Sequence, residues 1–234
     1  MKYTQLRHAT GILTYGGLDI LIDPMLAPQG ANPPVMNSWN DRRNPLIPFP
    51  IPLDAFQAPD HCLVTHLHPD HFDTYAADIL PKTTALICQS DDAEKFEQMG
   101  FLHIYSIEST ILLNETIQIQ KVEGRHGYGQ TAQAMGHSPG YILSADSEPT
   151  LYITGDTIFY ESVEETLRRH QPDVILAFAG CAQFSDDFLD KGPITLSPED
   201  LESIHRIVPD AKIICTHMDS INHCKVDRNM LSDY

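Results

Sequence analysis

The chain has 234 residues, 42% of them hydrophobic, and 32 acidic against 15 basic side chains give a formal net charge of -17. That length suits one large domain, or two similar halves folded together, with enough chain for a full core. The negative field argues against a phosphate backbone as partner, because no Lys/Arg cluster occurs beyond Arg42-Arg43 and Arg168-Arg169.

Five cysteines (Cys62, Cys88, Cys181, Cys215, Cys224) are widely spaced and contain no CxxC pair. They read as reduced, mostly buried thiols rather than a disulfide framework. The opening MKYTQLRHATG lacks the apolar core of a signal peptide, and no apolar run approaches the ~20 residues of a membrane helix. A cytoplasmic protein with no membrane association is expected, and a homo-oligomer is compatible with the composition.

In chain order, Gly11 to Asp23 (GILTYGGLDILID) predicts a hairpin about Gly16-Gly17. Pro24 to Pro59 holds nine of the 17 prolines and is expected to be an irregular insertion over the surface, with the character of a lid. Strands are predicted over 61–65, 84–88, 101–105 and 116–122, and helices over 72–80 and 91–99. Gly140 to Asp156 (GYILSADSEPTLYITGD) repeats the plan of the first hairpin, two apolar runs ending in an aspartate. A helix over 163–170, a strand over 173–178, a helix from Ser197-Pro198 to about Val208 and a strand over 212–215 complete a layered α/β reading.

Candidate ligands fall just past the predicted strands, where α/β sheets place their sites. THLHPDH follows one predicted strand, and Arg125-His126-Gly127, Gly155-Asp156-Thr157 and His217 follow others. His66, His68, Asp70 and His71 lie within six residues. Such a cluster has a high burial cost unless it holds a cation. The count suits two metals: His66, His68 and His126 for one, Asp70, His71 and His217 for the other, and Asp156 as a bridge. His126 is preferred to its rival His137, and His217 to His223, because each ends a well-formed strand. Imidazole and carboxylate suit Zn2+ first, with Mn2+ or Fe2+ as alternatives.

HLHPDH, the later histidine, GDT after a strand and the final histidine resemble the metallo-β-lactamase superfamily over about Ile12 to His217. IDPMLAP, NPLIPFPIP, GDTIF, QPDVI and THMDSINHC further resemble the branch similar to ascorbate-6-phosphate lactonase. The resemblance implies a four-layer αββα sandwich over residues 1–234, with a Pro-rich insertion at about 24–59. It implies the same ligand set, His66, His68, Asp70, His71, His126, Asp156 and His217.

The expected chemistry is hydrolysis of an ester-like bond, a lactone or a phosphoester, in a small molecule, with anionic molecules among the candidates, by a metal-bridged hydroxide. Asp70 and Asp156 are the expected catalytic carboxylates. His8 and His223 are candidates for outer contacts to metal or substrate. Arg42, Arg43 and Lys191 are candidates to attract an anionic substrate. The Pro-rich segment and the Gly180 to Gly192 loop are candidates for the pocket rim. Two other readings stand beside this one: a single-iron, oxygen-dependent oxidoreductase on the same fold, and a non-catalytic metal-binding protein.

Overall fold

A computed structural model describes residues 1–53, 56–185 and 188–232. Two sheets of six strands each form its centre. The first runs β1 (Lys2–Arg7), β2 (Thr10–Tyr15), β3 (Leu18–Ile22), β4 (His61–Leu63), β5 (Ala85–Gln89), β6 (His103–Ile107), in that order. The second runs β12 (Lys212–Thr216), β11 (Val174–Phe178), β10 (Leu151–Ile153), β9 (Gly140–Ser144), β8 (Ile117–Val122), β7 (Thr110–Leu113).

Alternation along the strands explains the layering. Leu13, Tyr15, Ile20 and Ile22 of the first sheet meet Ile119, Tyr141, Leu143 and Ile153 of the second in one buried cluster between the sheets. Their chain neighbours point outward: Leu21, Leu86 and Cys88 pack with Ala76 of α1 (Thr74–Ile79) and Phe96 of α2 (Ser90–Gln98). On the other side Ile142, Tyr152 and Ile175 pack with Val163 and Leu167 of α4 (Glu161–His170) and Ile204 of α5 (Pro198–Ile207). The result is the expected αββα sandwich.

The internal echo is real at the level of topology. In β1 to β5 successive neighbours pair antiparallel, antiparallel, parallel and parallel. The same sequence of pairings runs through β8 to β12. Asp23 thus follows β3 as Asp156 follows β10.

Several elements differ from the sequence reading. β1 and β7 are edge strands with polar or exposed positions, and α3 (Gly129–Met135) and α6 (Arg228–Ser232) carry almost no buried face, so none gave an apolar period. The helix expected over 72–80 starts later, because Asp73 is its N-cap and accepts from Ala76 N at 2.8 Å. The strand expected over 101–105 lies at His103–Ile107, since Phe101 is buried against α2 instead. No helix among the described residues is long and apolar enough to cross a membrane.

The Pro-rich insertion forms a strap without helix or named strand among its described residues; its Asp54 and Ala55 lie outside them. Two clasps hold it. The buried Arg7 guanidinium donates to the carbonyls of Met25, Ala27 and Ile47. Asn222 forms the second clasp: its Oδ1 accepts from Val35 N and Asn44 Nδ2, both at 2.9 Å, and its N–H donates to Asn44 Oδ1 at 3.0 Å. Removing the side-chain amide takes the 2.9 Å acceptor from Val35 N and from the buried Asn44 Nδ2, which keeps only a 3.4 Å contact to Pro33 O, so Asn222→Ala is expected to cost about 2 kcal/mol. Denaturant unfolding measures this, with faster protease cleavage within 28–46 as a second readout. Unchanged stability and protection would reject the clasp.

Candidate metal centre

Six connections, each following the carboxyl end of a strand, converge at one end of the sandwich. They carry His8 after β1, Asp23 after β3, His66 to Asp73 after β4, His126 after β8, Asp156 after β10 and His217 after β12. Local chemistry shapes each one. Thr65 donates from its N and Oγ1 to the two oxygens of Asp23, at 2.7 and 2.8 Å, which fixes the start of the histidine-rich turn. His68 O then accepts from His71 N at 3.0 Å and Phe72 N at 2.9 Å, turning the chain tightly about Pro69. Gly155 has φ +62°, and a Cβ there would lie 2.4 Å from Pro139 O, so only glycine lets Asp156 reach its place.

The ligands expected from sequence come together in three overlapping groups. His66, His68 and His126 form one; His66, His71 and Asp156 form another; Asp70, His71 and His217 form the third, with His8 added. Within each, one ligand atom per residue lies within 4.8 Å of the others. Asp156 is central: its oxygens lie 3.1 Å from His217 Nε2, 3.2 Å from His71 Nε2, 3.4 Å from His126 Nε2 and 3.9 Å from His66 Nε2. His137 is half-exposed, facing Asp91 and Glu123 at the surface, and His223 joins none of these groups.

The donor set fits divalent cations, and the hydrogen bonds behind the ligands show why. His126 Nδ1 faces the carbonyl of Ile194 at 2.7 Å, and His71 Nδ1 faces Asp23 Oδ2 at 2.8 Å. Both partners are acceptors, so each Nδ1 carries a proton and each Nε2 is the nitrogen aimed at Asp156, where a cation can take the place of a proton. His66 Nε2 and His68 Nδ1 face each other at 2.9 Å. Imidazole nitrogens and carboxylates that converge in a buried space form a donor set that a divalent cation can share in place of protons.

Titration in the metal-free protein follows the same logic. Burial alone would lower the pKa of His71, but Asp156, Asp70 and Asp23 raise it to about 10. His217 is also held well above the usual histidine range, against burial, by Asp156. Against the cost of burial, His217 and His71 hold Asp156 well below the carboxylate range, while His71, His217 and His8 do so for Asp70. His66 and His126 are lowered, chiefly by burial, His126 to about 4.

Sequence reasoning missed Asp23, the buried carboxylate that orients His71. The available signal was the echo of the two hairpins, each ending in an aspartate. It also placed His8 only loosely. His8 is buried at φ 56°, its Nε2 3.2 Å from Asp70 Oδ2 and its ring 3.7 Å from that of His217. Burial and the neighbouring His217 lower its pKa to about 3, so the neutral ring donates to Asp70.

A cavity of about 650 Å³ opens over this centre. Its floor is His68, Asp70, His126 and Asp156; its walls include Met25, Val35, Leu67, Met135, Phe184 and Ile221. Both expected rim segments therefore contribute, through Val35 and Phe184, although Asp186 and Asp187 of the second lie outside the described residues. Arg42, Arg43 and Lys191 are not among the lining residues, and Arg43 instead donates to the carbonyls of Gly30 and Ala31.

A model of the β-lactamase superfamily domain matches residues 19–218. The UPF0173 protein YddR of Bacillus subtilis (strain 168) is 34% identical over 238 residues, spanning 100% of this chain and 92% of the relative. A UPF0173 metal-dependent hydrolase of Pyrobaculum islandicum is 26% identical over 232 residues, spanning 97% and 88%. The crystal structure of an isothiocyanate hydrolase from Delia radicum gut bacteria superposes with a TM-score of 0.93 at 32% identity, covering 100% of this chain and 91% of that one.

Two outcomes test the centre. Asp23→Asn is expected to weaken metal binding about 10–100-fold, since it removes the carboxylate that orients His71; unchanged affinity in a chelator competition would refute that role. Metal binding must also displace the proton that His71 holds up to a pKa of about 10. Affinity is therefore expected to rise with pH between about 6 and about 8, and the same competition at both ends of that range checks the sign.

Proposed function

The chain belongs to the metallo-β-lactamase superfamily and, within it, to the UPF0173 family of metal-dependent hydrolases, and we propose that it uses two divalent ions to hydrolyse a small, uncharged, largely apolar molecule at an electrophilic carbon. The observation that carries this reading is the convergence of His71 Nε2 and His126 Nε2 on Asp156, at 3.2 and 3.4 Å, beneath an apolar cavity.

In this reading His66, His68 and His126 would hold one ion and Asp70, His71 and His217 the other, with Asp156 as the ligand shared between them. The all-N/O set favours Zn2+, with Mn2+ or Fe2+ as alternatives. Divalent ions in such a site acidify bound water toward neutral pKa and polarise the group under attack. The protein's own residues do the rest. Asp70 is the ligand carboxylate whose side chain retains some exposure, at 15%, and it borders the cavity. It is the group placed to take a proton from the attacking water and return it to the leaving atom. His8 fixes that carboxylate from behind through Nε2. The apolar walls exclude bulk water and so strengthen every charge interaction on the floor.

The cavity favours some substrates over others. No lysine or arginine lines it among the described residues. A phosphoester, or an ascorbate phosphate, would bring charge to walls that offer no cation to meet it. Of the two bonds expected from sequence, the lactone is therefore preferred. Likeness to the isothiocyanate hydrolase adds a second neutral electrophile. Water adding across the C=N bond of R–NCS gives a thiocarbamic acid, and breaking its C–N bond releases the amine R–NH2 and carbonyl sulfide. The same attack on a lactone opens the ring to the hydroxy acid.

Elemental analysis is expected to find about two divalent ions per chain. Asp156→Ala is expected to lose them together with at least about 100-fold in turnover of benzyl isothiocyanate or a γ-lactone. Full metal and full activity in that variant would remove the bridge. One iron per chain with oxygen uptake would favour the oxidoreductase instead.

A further inference from the structure

His223 is the buried histidine that the metal centre leaves unused. It is 6% exposed and lines the cavity wall, above a floor formed in part by Asp70, His126 and Asp156. Its Nδ1 is buried without a hydrogen-bond partner among the described residues. Nδ1 is itself shielded from the cavity, so the ring meets a ligand through its remaining 6% of exposed surface at the cavity wall.

The backbone around it is fixed on both sides. Asn222, its neighbour, is clasped by the strap. His223 O accepts from Gln183 N at 3.0 Å, and its ring lies nearly parallel to Phe184, at 27° with centroids 6.0 Å apart. Packing therefore holds the ring in one orientation at the cavity edge. Burial lowers its pKa to about 4, so near neutrality the ring carries one N–H donor and one acceptor nitrogen. The surrounding wall, Val35, Phe184 and Ile221 among it, offers apolar surface.

We propose that His223 is a substrate-binding residue, the polar anchor of this wall, hydrogen-bonding a heteroatom of a neutral apolar substrate whose electrophilic carbon lies over the metal-binding floor. The inference rests on the hydrolase reading above for the class of substrate. It assigns the orientation of that substrate to one side chain outside the ligand set. Apolar walls alone give affinity with little directional preference, whereas one fixed polar group discriminates strongly among ligands of the same shape.

The test compares wild type with His223→Phe and His223→Gln, all loaded with zinc. Phenylalanine keeps the ring against Phe184 and removes both nitrogens. Glutamine keeps donor and acceptor capacity without an ionisable ring. Zinc content and thermal stability are measured first, and both variants are expected to retain two ions. Calorimetric titration with phenylacetamide, a neutral aryl amide, supplies a readout apart from turnover. His223→Phe is expected to bind it about tenfold more weakly, equivalent to about 1.4 kcal/mol, and His223→Gln within about threefold of wild type. With benzyl isothiocyanate the loss in His223→Phe is expected in KM more than in kcat.

Equal phenylacetamide affinity in wild type and His223→Phe would overturn the inference, as would its failure to bind wild type. Loss of zinc in His223→Phe with retention in His223→Gln would overturn it too, by making the residue part of the metal centre. Should His223→Phe fail to fold, His223→Leu, which also removes both nitrogens, replaces it: about a tenfold loss of phenylacetamide binding would uphold the inference and wild-type-like binding would overturn it. Absence of any turnover of benzyl isothiocyanate or lactones by wild type would instead sink the hydrolase reading, leaving the calorimetry to decide His223.

Discussion

The structure depends on one buried carboxylate. Asp156 is 2% exposed, and four imidazole nitrogens stand within 3.9 Å of it. Isolated, such a carboxylate would be driven to protonate. Surrounded by histidines, it stays ionised and draws together chain segments from both halves of the molecule. Each of those segments must then leave its strand at one end of the sandwich. The two sheets pack face to face so that this is possible. The same electrostatic demand explains the unusual backbone: His8, Asp23 and His217 all occupy the left-handed region, at φ 56°, 42° and 61°. Strain of this kind persists where the surroundings over-determine it.

The repeated topology shows how one fold supplies two different kinds of carboxylate. Asp23 and Asp156 follow equivalent strands. Asp156 reaches the space between the histidines, while Asp23 stands behind His71 and orients it. The connection between β1 and β2 likewise carries His8, and that between β8 and β9 carries His126. One copy of each pair faces the ion site directly and the other supports it. Repeating the pairing order with different side-chain roles is a physical economy, because equivalent backbone positions are aimed at the same end of the sheets.

How much of this was legible in the sequence depended on range. His66, His68, Asp70 and His71 were readable because their clustering is local and too polar for any other economical purpose. The hairpin 11–23, the capped helix at Ser197 and the alternating strand 117–122 were readable from turn chemistry and period. His126 and His217 were favoured over His137 and His223 by their places after strands, and the structure puts the favoured pair within 3.4 Å of Asp156. The Asp23–His71 bond was hidden, since its partners lie 48 residues apart and meet only through the parallel pairing of β3 and β4. Edge strand β1 was hidden by KYTQLR, which alternates without an apolar face. Cavity polarity was hidden altogether, because it is set by loops. Arg42 and Arg43 read from sequence as bait for an anion, yet they do not line the cavity.

The strap makes substrate choice and metal retention parts of one problem. Val35 and Asn44 line the cavity, and both are tied to Asn222, five residues beyond the candidate ligand His217. Leu46 N donates to Ser220 O at 2.7 Å, which adds a backbone tie to the same loop. Gly180 lies against that loop from the far side, where a Cβ would fall 2.0 Å from His217 O. The loop has little room to move independently of the roof above it. The strap that lines the cavity and the candidate ligand His217 are thus held by one and the same loop. Coupling of this kind favours a roof that is built once and kept, with discrimination left to the few side chains, His223 foremost, that project from a frame already fixed.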